Sequence, residues 1–263
     1  MMRRLMMLAA CAFALHGGDT AAQVTTTVVD VPTRPGVTQR FLYLAPPHPQ
    51  KAVILFAGGQ GGLRIGDDGR LGGGSGNFLV RSRELFASHG LAVLVVDAPS
   101  DRQQPPFLAG FRQTPEHVTD IRAVIAWARR SGLPVWLVGT SRGTQSAAHV
   151  AVALAGTDAG PDGLVLTSTI LTDRHGRAVP EMALQRLTIP VLVVHHEHDG
   201  CRLCPYSAVP QLMDRLAAAR TKELISIDGG ASRGDPCQAF AYHGYNGIEQ
   251  QVVARIADWI NAH

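Results

Sequence analysis

The stretch Val135-Trp136-Leu137-Val138-Gly139-Thr140-Ser141-Arg142-Gly143-Thr144-Gln145, continuing through Ala155, decides how the rest of the chain is read. Four consecutive apolar residues predict a buried strand, and the small, helix-forming residues after Gly143 predict a helix. Between them stands Gly-x-Ser-x-Gly. Its glycines permit a sharp strand-to-helix turn where side chains would collide, and that turn holds the serine hydroxyl clear of its strand. The backbone amide of Arg142 then points where negative charge would develop on the oxygen of a carbonyl group attacked by the serine.

The pattern recurs at Gly230-Ala231-Ser232-Arg233-Gly234. There Asp235-Pro236 follows at once and no apolar helical face develops, so Ser232 reads as a loop residue and Ser141 as the candidate nucleophile.

Outward from Ser141, short apolar runs alternate with helical patterns. The strands expected are Ala52 to Phe56, Leu91 to Val96, Val135 to Val138, Gly163 to Leu166, Val191 to Val194 and Leu224 to Ile227. This alternation predicts a mostly parallel sheet flanked by helices. Val24 to Val31 and Arg40 to Leu44 alternate more and predict an antiparallel edge. Thr114-Pro115-Glu116 opens a helix with a cap, a proline and an acid, and Gly132 and Pro134 stop it. Ile248, Val252, Ile256 and Trp259 mark a C-terminal amphipathic helix. No repeat or linker divides residues 23–263, so one α/β domain is expected. Two long loops stand out. Gly58 to Gly76 carries ten glycines, and Ala98 to Arg112 carries three prolines; loops of such length are uncommon unless functional or mobile.

The order of these strands, the serine elbow, an acid after a later strand and a histidine before the last helix resemble the α/β-hydrolase superfamily over about residues 40–262. The compact layout is similar to its esterase and dienelactone-hydrolase branches. The resemblance implies a central sheet of about eight strands, no large lid, no cofactor, and a Ser-His-Asp triad acting on a small-molecule ester or other acyl substrate. Asp199 follows the strand Val191 to Val194, at the carboxyl end where such sheets keep their chemistry, and takes the place of the acid. His243, within Tyr242-His243-Gly244-Tyr245 just before the last helix, takes that of the base. The second oxyanion donor falls at Gly59 or Gln60, beside the amide of Arg142. Here Ala57-Gly58-Gly59-Gln60 stands at the family's His-Gly-x-x position without its histidine, a departure the chemistry tolerates because the donor is a backbone group. A peptidase or amidase would use the same triad, whereas a non-catalytic binding protein on this fold would be expected to lack one of its members.

Metal-centred readings fit less well. His196-x-His198 beside Asp199 resembles the His-x-His-x-Asp run of metallo-hydrolases, but the aspartate would be needed at position 200, which is Gly200. Cys201-x-x-Cys204 has no second Cys-x-x-Cys to complete a zinc site.

Arg3 and Arg4, the apolar run Leu5 to Leu15 and the small residues Thr20 to Ala22 read as an export signal, too short to span a bilayer. Leu8-Ala9-Ala10-Cys11 also has lipobox character, the competing lipoprotein reading. Periplasmic or secreted placement is therefore expected. Over the whole chain 24 basic residues face 21 acidic ones, and without Arg3, Arg4 and Asp19 the charge is about +2, with no basic stripe to attract nucleic acid or an anionic membrane. Export would oxidise Cys201, Cys204 and Cys237 to one disulfide and one free thiol. Cys201 lies two residues after the proposed acid and Cys237 six before the proposed base. Those loops must meet if the triad assembles, so Cys201–Cys237 is the expected bond, with Cys204 the competing partner for Cys237.

Overall fold

The computed structural model describes residues 23–263. The export-signal reading of residues 1–22, including the lipobox at Cys11, lies outside the described residues. In chain order the elements are β1 (Thr25–Arg34), β2 (Val37–Ala45), β3 (Lys51–Phe56), α1 (Phe78–Arg81), α2 (Arg83–Ser88), β4 (Leu91–Val96), α3 (Pro115–Ala128), β5 (Val135–Thr140), α4 (Gly143–Ala153), β6 (Gly163–Thr167), β7 (Val191–His196), α5 (Val209–Arg215), β8 (Lys222–Ile227) and α6 (Glu249–Ala262). The strands form one eight-stranded sheet in the order β1-β2-β4-β3-β5-β6-β7-β8. The expected antiparallel edge is β1 and β2, which pair with each other, and β2 with β4, in antiparallel register. All pairings from β4 to β8 are parallel.

The period of two along each central strand sends alternate side chains to opposite faces. Ala52, Ile54 and Phe56 pack with α3, α4 and α5 on one face. Val53 and Leu55 pack with α1, α2 and α6 on the other. Both faces are therefore apolar, which is why these strands read as continuous hydrophobic runs. The helical caps match the sequence signals: Thr114 accepts the amide of His117, Pro115 opens α3, and Gly132 ends the following turn in the left-handed region at φ 73°.

Strand ends differ slightly from expectation. β8 begins at Lys222, two residues before the apolar run, because Lys222 and Glu223 extend the ladder with β7 while their side chains remain exposed at the sheet edge. The short helices α1, which lies against β3 and β5, and α2, which covers β4, carry too few turns to announce themselves by periodicity.

The disulfide joins Cys201, after β7, to Cys237, before α6, while Cys204 is a buried free thiol. It clips the loop after β7 to the loop that follows its neighbour β8.

The largest polar side chain in the core without a partner among the described residues is that of His117. His117, on α3, is 1% exposed, and neither ring nitrogen meets a hydrogen-bonding group among the described residues. It lies edge-on to Phe56 and Phe111. Burial first, then the nearby Arg112, His149 and Arg34 charges, push its pKa down to about 3. The native ring stays neutral while the unfolded ring takes a proton below about pH 6.5. Stability is therefore lost as pH falls from about 6.5 toward 3.

Two outcomes follow from these features. In urea titrations at several pH values, wild type should lose stability relative to His117→Leu on acidification, by up to about 1.4 kcal/mol per pH unit below pH 6.5; a pH-independent offset between them would contradict a neutral buried imidazole. Non-reducing peptide mapping should recover Cys201 joined to Cys237 with Cys204 alkylatable only after unfolding. With a sequence separation of 36, the bridge should contribute about 4 kcal/mol by loop closure, read as the stability difference from Cys237→Ser. A Cys201–Cys204 bridge would contradict the pairing.

Candidate active site

Ser141 sits where β5 gives way to α4, at φ 52°. A non-glycine residue in this left-handed region is held there by its surroundings, at a cost of about 1–3 kcal/mol. The surroundings are very tight. A Cβ on Gly143 would lie 2.0 Å from the carbonyl oxygen of Phe56, and one on Gly139 would lie 2.6 Å from that of Gly143. Neither position can carry a side chain. The Ser141 amide is anchored on the carbonyl of Thr167 at 3.1 Å, and its own carbonyl accepts from the Thr144 amide at 2.9 Å and from the Thr144 hydroxyl. The elbow is thus fixed between β3, β6 and α4.

Asp199 and His243 come together at the same end of the sheet. His243 Nδ1 donates to Asp199 Oδ2 at 2.8 Å, and Asp199 Oδ1 accepts the amide of Cys201 at 2.9 Å. Both residues are buried. With Nδ1 carrying the hydrogen, the neutral ring leaves Nε2 as an acceptor, and Nε2 is buried with no partner among the described residues. His243 and Ser141 line one cavity of about 700 Å³.

Several residues not singled out by the sequence hold these groups in place. Ser168 donates its hydroxyl to the His243 carbonyl at 2.7 Å, and Arg81 donates to the Gly244 carbonyl at 2.6 Å and pairs with Glu249 at 2.8 Å. The fully buried Tyr245 donates to the Val194 carbonyl at 2.8 Å and accepts the Ser168 amide at 3.1 Å. Burial raises the Tyr245 phenol well above its usual range. His243 is therefore tied by its backbone, and by that of its neighbours, to the ends of β6 and β7. Asp97, just beyond β4, accepts the amides of Leu63 and Ala98 at 2.7 Å and of Ile65 at 2.9 Å. Its carboxylate pins the glycine-rich loop over the cavity. An acid directly after a buried strand was the available signal for Asp97; Tyr245 and Ser168 carried none.

The glycine loop and the elbow meet closely. A Cβ on Gly58 would lie 3.0 Å from the Ser141 Cβ. Gly59, Gln60 and Arg142 all line the Ser141 cavity. The amides of Gln60 and Arg142 donate to no acceptor among the described residues. An oxyanion requires two donors of this kind, free of other acceptors and carried by residues that line one cavity.

The other candidates are engaged differently, although His195 Nε2 lies 3.7 Å from Asp199 Oδ2. Ser232 is exposed in the loop between β8 and α6, with no helix directly behind it. His195 Nε2 bonds the Cys204 carbonyl at 2.9 Å, and burial pushes its pKa down. His196 spends Nε2 on the Gly229 carbonyl at 2.8 Å and Nδ1 on the His198 amide at 3.0 Å. These three histidines do not converge on an ion. Donor atoms of Cys201, Cys204 and His243 do lie within 4.8 Å of one another, but Cys201 is bonded to Cys237 and offers no thiolate. The Cys204 thiol is buried, which pushes its pKa up. No helix among the described residues is long and apolar enough to cross a membrane.

No family model matches the chain, and no curated protein matches its sequence. Solved structures do match. A dienelactone hydrolase from Anabaena variabilis superposes with a TM-score of 0.63 at 14% identity, over 92% of this chain and 99% of that one. An esterase from Pyrococcus furiosus gives 0.64 at 12% identity, over 91% and 93%. A serine hydrolase without a lid from Xanthomonas campestris gives 0.52 at 17% identity, over 89% and 94%. At these identities the likeness is one of fold, and the chain has the α/β-hydrolase fold of the esterase and dienelactone-hydrolase structures.

Proposed function

We propose that the chain is a serine hydrolase that cleaves a carboxylic ester through an acyl-enzyme. One observation carries this reading: the 2.8 Å bond from His243 Nδ1 to Asp199 leaves Nε2 without a partner among the described residues, on a histidine that lines the same cavity as Ser141. Ser141 attacks the ester carbonyl as His243 Nε2 takes its proton. Asp199 holds the tautomer and stabilises the imidazolium. The tetrahedral oxyanion is received by the amides of Arg142 and Gln60, and the imidazolium then protonates the leaving alcohol. Water, deprotonated by the same nitrogen, releases the acid.

The cavity wall combines Leu63, Phe78, Phe107, Leu203 and Phe240 with Gln60, Asn77, Arg64 and Arg142, an apolar surface with a few polar groups of the kind that binds an acyl ester. Nothing in the steps calls on a metal or cofactor. Nucleic acid is not a fitting partner, since the charge is near balance. The Cys201–Cys237 bond supports an oxidising, exported location.

With a short activated acyl ester such as p-nitrophenyl acetate, Ser141→Ala, His243→Ala and Asp199→Asn should each lower kcat by about 10³-fold or more. Ser232→Ala should keep most of it. An inactive Ser232→Ala beside an active Ser141→Ala would reassign the nucleophile. Activity should also survive EDTA; loss with chelator and recovery with zinc would move the chemistry to the histidine cluster.

A further inference from the structure

Arg112 is an unusual residue for its place. It lies 5% exposed between β4 and α3, and no carboxylate among the described residues pairs with it. Desolvation, and then the charge of Arg142, push its pKa down to about 9, so it remains a buried cation at neutral pH. An uncompensated buried charge is costly and persists where it does something. All its hydrogen bonds go to neutral oxygens. Nη1 donates to the Ser146 hydroxyl at 2.9 Å, and Nη2 donates to the carbonyls of Ala57 at 3.0 Å and Gly59 at 3.1 Å.

Those two carbonyls belong to the loop that carries the unpaired Gln60 amide. The only cis peptide bond among the described residues is Pro105–Pro106, so the peptides here are trans. In a trans peptide the C=O and the N–H of the next residue point in opposite directions. Drawing the Ala57 and Gly59 carbonyls onto one guanidinium therefore turns the amides of Gly58 and Gln60 the other way. The neighbouring peptide is held as well, since the Gln60 carbonyl accepts the Leu108 amide at 3.0 Å. The glycines make room for this arrangement. A Cβ on Gly61 would lie 2.5 Å from Arg112 Nη2. Gly61 and Gly59 both sit at positive φ.

We propose that Arg112 is a positioning residue for the oxyanion hole, its guanidinium fixing the peptide planes of residues 57–60 so that Gln60 N–H faces the oxygen of the carbonyl group that Ser141 attacks. The inference rests on Ser141 being the nucleophile. It selects Gln60 over Gly59 as the loop donor, because the Gln60 amide shares its peptide with a clamped carbonyl whereas no hydrogen bond to the Gly58 carbonyl fixes the Gly59 amide. A free loop of glycines would lose this alignment, since an oxyanion donor acts only when it is aimed before the charge forms.

The test compares wild type, Arg112→Lys and Arg112→Met on p-nitrophenyl acetate, with active sites counted by the burst so that misfolded protein drops out. Inhibition by a short alkyl trifluoromethyl ketone, which forms a hemiketal oxyanion on the serine, is measured alongside. Arg112→Met should lower kcat by roughly 10²-fold with KM little changed. The ketone should weaken in parallel. Lysine keeps the charge but cannot span two carbonyls with a fixed fork, so Arg112→Lys should fall between. If Arg112→Met fails to fold, Arg112→Lys alone decides. Wild-type kcat per active site and unchanged ketone inhibition in Arg112→Lys, with only a lower melting temperature, would reduce Arg112 to a structural role and overturn the proposal. An inactive wild type would instead remove the serine-hydrolase reading itself, and this inference with it.

Discussion

Backbone meets backbone at the elbow. The loop that begins α4 passes so close to the end of β3 that Gly143 could not carry a methyl group without striking the Phe56 carbonyl. Ser141 is forced to a positive φ by the same crowding. A side chain mounted on a strained turn at the rim of a buried parallel sheet has little freedom to retreat. The sheet supplies the force that holds it there, because β3, β5 and β6 are fully packed on both faces. Apolar burial of this extent, at roughly 25 cal/mol per Å², easily outweighs a local strain of a few kcal/mol.

From that constraint the other loops take their places. Asp199 follows β7 and His243 precedes α6, and they come to the same end of the sheet as the elbow because the strand order puts β5, β6 and β7 side by side. Their meeting is reinforced covalently by Cys201–Cys237 and by the hydrogen bonds of Ser168, Tyr245 and Arg81 around His243. On the opposite side, Asp97 and Arg112 organise the glycine loop from beneath. A buried anion collects its amides and a buried cation collects its carbonyls. The two charges act on the backbone of one loop, so its many glycines do not leave it shapeless.

Much of this was legible before any coordinates. Six parallel strands and the antiparallel edge followed from apolar runs, and the elbow from two glycines around a serine, since these are local signals with local causes. The glycine loop was not legible in the same way. Its length and composition suggested function or mobility, yet several glycines exist because something distant lies against them: the Phe107 ring on Gly62, the Leu63 side chain on Gly74, the Phe240 ring near Gly76. Arg112 looked like the end of a proline-marked loop. Its role as a clamp depends on Ala57 and Gly59, 55 and 53 residues away. Tyr245 likewise depends on β7, across 51 residues. Contacts of such range leave no periodicity for a sequence to display.

The central claim is that one hydroxyl among many is made reactive by its place in this fold. Labelling the intact protein with a fluorophosphonate and mapping the modified peptide tests it directly. The adduct should fall on Ser141, should form once per chain, and should disappear when the protein is unfolded before labelling. A label on Ser232, or no label on a folded protein, would contradict the account.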